Sequence, residues 1–261
     1  MSNLTFTKDF LVHRFTSKNR HGLHSPFVYK LVDEVIYDYK HKQAYDKIEK
    51  ERNELLIDDT YITVTDLGAG SRVNKNNRKK VSDITKNALK SPKLAQLLYR
   101  LAAFIQPKSI VELGTCLGIT TLYLQEAAPD AKVYTLEGCP ETANVAKKVF
   151  SRAGFDELNP IIGNFDDTLA GVLGEHEKLD LVYIDGNHQR VATLNYFEQC
   201  LPKVHEGTML IFDDIYWSDG MKQAWAQIKA NPQVTVTVDL FWIGLVFFKT
   251  GRVKEDFKIR F

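Results

Sequence analysis

Cysteine is scarce in this 261-residue chain, and the three present, Cys116, Cys139 and Cys200, stand far apart. There is no Cys-x-x-Cys pair, so neither a disulfide scaffold nor a cysteine zinc site is encoded, and a reducing cytoplasm is the expected compartment. Long apolar runs are missing as well. No stretch approaches a membrane-spanning length, and polar residues interrupt the first ten positions, so neither a membrane span nor a signal peptide is expected. An excess of one charge sign is absent too: 34 Lys plus Arg nearly cancel 33 Asp plus Glu. That balance leaves no global field to hold nucleic acid or an anionic bilayer, and no nucleic-acid partner is expected. Internal repeats and low-complexity linkers are lacking.

What is present is a chain with 44% hydrophobic residues, long enough to bury one large α/β core with an extension. From about residue 109 onward, strand-like and helix-like segments alternate. Strands are expected near 109–113, 132–136, 158–162, 179–184 and 207–212, with helices near 119–127, 141–153, 166–174, 190–201 and 219–229. Such βαβ repetition implies a parallel sheet covered on both faces. The rhythm breaks at Val234 to Asp239 and Trp242 to Lys249, two strand-like runs too close for a crossover helix, which must pair antiparallel as a hairpin. Ser91-Pro92 before Leu94, Leu97, Leu98, Leu101 and Ile105 gives capping chemistry and helical apolar spacing.

The N-terminal part reads differently. Asp9 to Asn53 is helical and polar, with an unusual run from His21 to Tyr29 in which Ser25-Pro26 is placed to start a helix reaching Tyr37. Arg72 to Lys93 carries eight basic residues against the single acid Asp83, and reads as a solvated loop or, more sharply, as a lid that recruits an anionic substrate. The expected division is therefore residues 1–90 as a helical extension with a basic loop, serving as substrate cover or for oligomerisation, and residues 91–261 as the catalytic domain.

Two constellations carry chemistry. After the first strand, Val111 to Gly118 forms a turn with Gly114 and Gly118, followed by Thr120 and Thr121 opening a helix. Glycines let backbone approach a ligand, and a helix N-terminus favours an anionic group. The spacing departs from the dinucleotide fingerprint, because Cys116 and Ile119 stand where glycines belong, so a nicotinamide cofactor is poorly supported. Glu137 ends the next strand, where an acid accepts hydrogen bonds from ribose hydroxyls, and Gly163 to Asp167 follows the third, bordering an adenine. Asp66-Leu67-Gly68-Ala69-Gly70 imitates the glycine motif, but a basic polar stretch follows it in place of an amphipathic helix.

The second constellation is acidic. Asp185 ends the strand expected near 179–184, and Asp213-Asp214 ends the strand that follows. In open α/β sheets ligands collect at the carboxyl ends of strands, so these acids can converge although 28 positions separate Asp185 from Asp213. Carboxylate oxygens suit a hard divalent cation, magnesium by default, with Asn187 as an optional amide ligand. Against this stands the ordinary role of such acids as helix caps and solvated strand ends. His21 and His24 have metal-ligand spacing but nothing nearby to complete a zinc site, and Cys116 is better explained as a small spacer than as a reactive thiol.

Over Ser109 to Lys249 the chain resembles the class I S-adenosylmethionine-dependent methyltransferases, through Val-Glu-Leu-Gly-Thr-Cys-Leu-Gly, Thr-Leu-Glu-Gly, Asp-Leu-Val-Tyr-Ile-Asp-Gly-Asn-His and the closing hairpin. The resemblance implies a Rossmann-like, seven-stranded, mostly parallel sheet with an antiparallel last strand. It implies a cofactor set of Glu112, Gly114, Thr115, Cys116, Gly118, Thr120, Glu137, Gly138, Asn164, Phe165, Asp166 and Asp185 for S-adenosylmethionine. Asp-Gly-x-His followed by an acidic pair is similar to the metal-dependent O-methyltransferases, which implies Asp185, Asp213 and Asp214 as ligands and His188 as general base beside Asp185. An imidazole pKa of about 6.5 suits that task. Arg190, Tyr216 and Trp217 follow the acids and are expected either to line the pocket of a small hydroxylated acceptor or simply to pack. The His21–Tyr29 run and the basic segment lie outside those families' patterns and leave the acceptor open. The rivals are a metal-independent N- or O-methyltransferase and a non-catalytic cofactor-binding interaction module.

Overall fold

Strand and helix propensities resolve into two units in the computed structural model, which describes residues 3–65, 67–68, 77–251 and 253–261. One unit is Tyr39–Gly174; the other joins Met1–Asp38 to Glu175–Phe261.

The chain begins in the second of these with α1, Asn3–Thr16, and α2, Pro26–Leu31, which widens into a π-helix at Val32–Ile36 and stops at Tyr37. Pro26 occupies the first turn, where a missing N–H is harmless, but the Ser25 side chain makes no capping bond. The start signal was therefore legible while its expected chemistry is not used.

Tyr39–Gly174 opens with α3, Gln43–Leu56. A short antiparallel hairpin follows, β1, Tyr61–Thr63, with β2, Arg78–Lys80, and then α4, Val81–Asn87. These last two elements lie inside the basic stretch read as a loop; Val81 and Ile84 are buried, and two apolar anchors turn a charged segment into a helix with one face inward. Asp66 and residues 69–76, which hold much of the glycine imitation and the start of the basic stretch, lie outside the described residues.

α5, Pro92–Ile105, has the expected apolar spacing and ends where Gln106 turns left-handed at φ 51° before Pro107; as at Ser25, the Ser91 hydroxyl makes no cap bond. Then come β3, Ser109–Leu113, α6, Ile119–Ala127, β4, Lys132–Glu137, α7, Pro140–Arg152, β5, Ile161–Ile162, and α8, Phe165–Gly174. β3, β4 and β5 pair in parallel. One buried cluster unites Tyr45, Ile48 and Leu55 of α3 with Val81 and Ile84 of α4, Leu122 and Tyr123 of α6, and Val149 and Phe150 of α7, so residues on both sides of position 91 share a core. Within it the Tyr123 hydroxyl donates to Glu49 at 2.8 Å, which satisfies a phenol that has no exposed surface.

The remaining elements return to the first-named helices' unit: β6, Leu181–Ile184, α9, Arg190–Cys200, β7, Met209–Asp213, α10, Asp219–Ala230, β8, Val236–Asp239, β9, Ile243–Phe247, and β10, Glu255–Lys258. β6 and β7 are parallel, β9 is antiparallel to both β7 and β8, and β10 runs parallel to β8. The hairpin expected near the end is therefore present. The count differs: leaving aside the β1–β2 hairpin, eight strands are formed among the described residues where seven were expected. The addition is β10, a short polar segment, Glu-Asp-Phe-Lys, whose alternation is too brief to register as a strand without the partner that β8 supplies. Its last residues also tie down the N-terminal segment, since Lys18 N–H donates to Lys258 O at 2.8 Å and Arg260 N–H to Lys18 O at 3.0 Å.

Candidate functional site

Within Tyr39–Gly174 the turn after β3 is built on left-handed backbone at Gly114 (φ 107°), Cys116 (φ 50°) and Gly118 (φ 85°). Its amides are tied down from one side, Gly114 and Thr115 both donating to Leu136 O on β4. Gly118 is required twice over, because a Cβ there would lie 2.5 Å from Phe150 Cε1 and the positive φ penalises any side chain. Glu112 lies beneath this turn, fully buried, its Oε2 accepting from the hydroxyls of Thr121 at 2.5 Å and Thr135 at 2.7 Å. Thr135 in turn meets Thr115, also at 2.5 Å. Of the residues expected around a cofactor, Glu112, Thr115 and Thr120 are thus buried, and Glu112 and Thr115 brace the turn from within.

Glu137 stands at the end of β4 with each oxygen held by a backbone amide: Oε2 accepts from Cys116 N–H at 2.7 Å and Oε1 from Cys139 N–H at 2.8 Å. Burial pushes its carboxyl above the usual range, against the pull of those amides and of the Thr142 hydroxyl. The neighbouring Gly138 has Leu67 over it, with Leu67 Cδ1 3.0 Å from where a Cβ would stand. Asn164 caps α8, its side-chain oxygen accepting from Asp166 N–H at 3.2 Å; Phe165 is buried and Asp166 exposed.

The acidic constellation lies wholly within the other unit. Parallel pairing sets Ile184 beside Phe212, so β6 and β7 end level and deliver Asp185 and Asp213 to the same edge. Tyr183, fully buried, donates its hydroxyl to Asp185 Oδ2 at 3.0 Å and reaches Asp213 Oδ1 at 3.4 Å. His188 Nε2 stands 3.7 Å from Asp185 Oδ1 and 3.8 Å from Asp214 Oδ2. Ligand atoms of Asp185, His188 and Asp213 all fall within 4.8 Å of one another, the one such group among the described residues. His21 and His24, both exposed, are not part of it.

Two further observations bear on whether these side chains suit a cation. Asn187, in a left-handed conformation at φ 52°, gives its Nδ2 to Tyr196 and leaves a buried Oδ1 without a hydrogen-bond partner. A buried acceptor of that kind is costly unless something binds it. Two carboxylates sharing one hydroxyl, with an imidazole within 4.8 Å, are a donor set for a small hard divalent ion. The residues fit the group.

The expected pocket residues divide. Trp217 stands next to the cluster, its ring centroid 6.3 Å from that of His188. Arg190 reaches across to Gln223 at 2.9 Å, bracing α9 on α10. Tyr216 faces the end of β8, donating to Asp239 Oδ2 at 2.8 Å and stacking on Phe241 at 4.7 Å. Burial and the Asp239 charge push its phenol up. Asp239 also accepts from His13 Nε2 at 2.9 Å, a pairing across 226 positions that no local pattern announces. Within that carboxyl, burial works upward, but His13, the Phe241 N–H and the Tyr216 hydroxyl outweigh it and hold the group below the usual range.

Comparison with known proteins finds methyltransferase relatives. Residues 111–215 match a family model described as a methyltransferase domain. The chain is 30% identical over 133 residues to a catechol O-methyltransferase of Mycobacterium tuberculosis, covering 50% of this chain and 59% of that protein. It is 32% identical over 128 residues to a catechol O-methyltransferase of Niastella koreensis, covering 48% and 57%. In both cases the match spans less than two-thirds of the relative's length. Among solved structures, an O-methyltransferase from Bacillus cereus in complex with SAH superposes with a TM-score of 0.55 at 19% identity, over 81% of this chain and 93% of that one, and shows the fold.

Proposed function

We propose that this protein, whose residues 111–215 match a methyltransferase-domain model, transfers the methyl group of S-adenosylmethionine to a hydroxyl oxygen of a small acceptor, assisted by a divalent cation, magnesium by default. The observation that carries the cation reading is the convergence of Asp185, His188 and Asp213 within 4.8 Å, with Tyr183 bridging the two carboxylates.

In this reading the Glu137 carboxylate accepts the ribose hydroxyls, and the amides and glycines from Gly114 to Gly118 receive the amino-acid end of the cofactor, with Gly138, Asn164, Phe165 and Asp166 toward the adenine. Asp185, Asp213 and Asp214 would hold the cation, which would acidify an acceptor hydroxyl. His188 would take the hydroxyl proton at Nε2, and the cofactor would supply its methyl group to the oxygen, the sulfonium leaving as the neutral thioether. Trp217 offers a face for a planar acceptor, in keeping with the catechol enzymes among its relatives. The position of His188 Nε2 between two carboxylates favours a second reading in which the imidazole is itself a ligand. Residues 1–90 are proposed to cover the acceptor or to mediate self-association; the outward Leu4 and Phe15 of α1, each 82% exposed, supply an apolar surface for a second copy. A cytoplasmic setting accords with three cysteines that form no disulfide with one another.

Calorimetric titration with S-adenosylmethionine, with NAD as the competing ligand, tests the cofactor. Turnover on a panel of catechols and other small hydroxylated molecules, with magnesium and then with chelator, tests the rest. Turnover that survives the chelator selects the metal-independent reading; cofactor binding with no turnover on any acceptor selects the binding module. For His188→Ala, lost turnover with retained cation binding assigns the base, and loss of both assigns a ligand.

A further inference from the structure

α1 lies far from Asp214 in sequence, yet a chain of short contacts joins them. Phe6, Phe10 and His13 form its inner face and all three pack on Phe241, with ring centroids 5.2, 5.1 and 5.5 Å away. Phe241 sits in the turn between β8 and β9 at φ 72°, a conformation that strains any residue with a large side chain. The Asp239 carboxylate holds that turn by accepting Phe241 N–H at 2.9 Å, and the same oxygen accepts from His13. The next residue, Trp242, presents its carbonyl to Asp214 N–H at 2.8 Å. Asp214 is itself left-handed at φ 53° and lies 3.8 Å from His188.

We propose that α1 is a positioning element of the acid cluster: through His13 and Phe10 it keeps Phe241 left-handed, and so aims the Trp242 carbonyl at the Asp214 amide. The reason is mechanical. Without an aromatic face over its ring and a donor on Asp239, Phe241 relaxes to the negative φ that its side chain prefers, and the peptide that carries the Trp242 carbonyl rotates with it. Asp214 then loses the hydrogen bond that fixes its left-handed turn. His13 and Phe10 touch neither cation nor acceptor; they act through the turn. The consequence for cation affinity rests on the cation reading above, whereas the consequence for the Asp214 amide does not.

The experiment uses the full chain and compares His13→Ala, Phe10→Ala and His13→Gln, the last keeping an N–H donor at similar reach. Phe27→Ala is the control, because it removes a ring contact of the same N-terminal segment with Phe247, at the opposite end of β9. Amide hydrogen exchange at Asp214 should quicken at least tenfold in the two truncations, recover in His13→Gln and stay unchanged in Phe27→Ala. Mn2+ binding, followed by electron paramagnetic resonance without acceptor, should weaken several-fold in the same two variants while S-adenosylmethionine affinity holds. Unchanged exchange at Asp214 in both truncations overturns the inference, and so does equal quickening in Phe27→Ala, which would mark general loosening. A wild-type protein that binds no Mn2+ overturns the cation reading and leaves the exchange result to decide the positioning claim.

Discussion

Two regions of strand ends turn the chain through left-handed backbone, and they are made of opposite materials. The turn after β3 uses Gly114 and Gly118, residues for which positive φ costs little, and its buried acids are met at once by neighbours: Glu112 by Thr121 and Thr135, Glu137 by Cys116 and Cys139. The ends of β6 and β7 use Asn187 and Asp214, with Phe241 beyond them, and there Asp185 and Asp213 share the hydroxyl of Tyr183 while facing His188. The first turn holds its shape from contacts within about 25 residues. The second depends on contacts brought from the far end of the chain. A locally encoded site is expected to keep its form without ligand, and a remotely braced one to respond to whatever binds or loosens it.

The sharpest way to break this contrast is at the acids. Asp185→Ala in a normally folded protein should lower turnover by at least about a hundredfold, because a metal-assisted step loses several kcal/mol of charge stabilisation; a smaller loss, read from initial rates with and without chelator, would remove the cation from the chemistry. At the other site, Glu137→Gln should weaken S-adenosylmethionine binding roughly ten- to a hundredfold, the weight of about 1.5–3 kcal/mol for a charged hydrogen-bond acceptor. The ionised carboxylate is the form that binds, and burial raises its pKa, so wild-type affinity should begin to fall at a pH above the ordinary glutamate value of about 4.3. The Gln variant should be flat over the same range by calorimetry.

Gly118→Ala probes the local turn by stability. With a Cβ driven into Phe150 at positive φ, it should cost about 1–3 kcal/mol in denaturant unfolding. The smallest effect concerns the remote brace. The folded Asp239 carboxyl lies below its unfolded value, so its contribution is present above the unfolded pKa of about 3.9 and is lost as pH falls through the folded one. Asp239→Asn should therefore flatten the acid limb of the curve of Tm against pH, and an unchanged limb would show that His13 and Tyr216 do not hold the charge.

Legibility followed the same divide. The strands and helices from Ser109 to Ala230 were readable because periodicity and turn residues agree, and the glycine turn with Glu137 came with its spacing intact. Asp185 and Asp213 were readable as strand ends because parallel strands bring such ends level. The role of Tyr216 was not, since its partner Asp239 is set by a hairpin register invisible to local pattern. Nor was the apolar anchoring of α4, where two residues, Val81 and Ile84, set a helix inside a stretch rich in basic residues. Asn164 has a job that its reading as a cofactor residue did not include: its side chain answers the orphan amide of Asp166 at the start of α8.

The bridge between Lys18 and Ile259 has a meaning in time as well as space. A ribosome delivers α1 well before β10, so the helix emerges long before Asp239, Phe241 and Lys258 exist to receive it. Until then its two apolar faces must be kept from other chains, and the brace on Asp214 can form only once the hairpin has been made. Synthesis therefore finishes the glycine turn early and the acid cluster late, and a nascent chain halted before Asp239 should bind cofactor fragments before it can gather a cation.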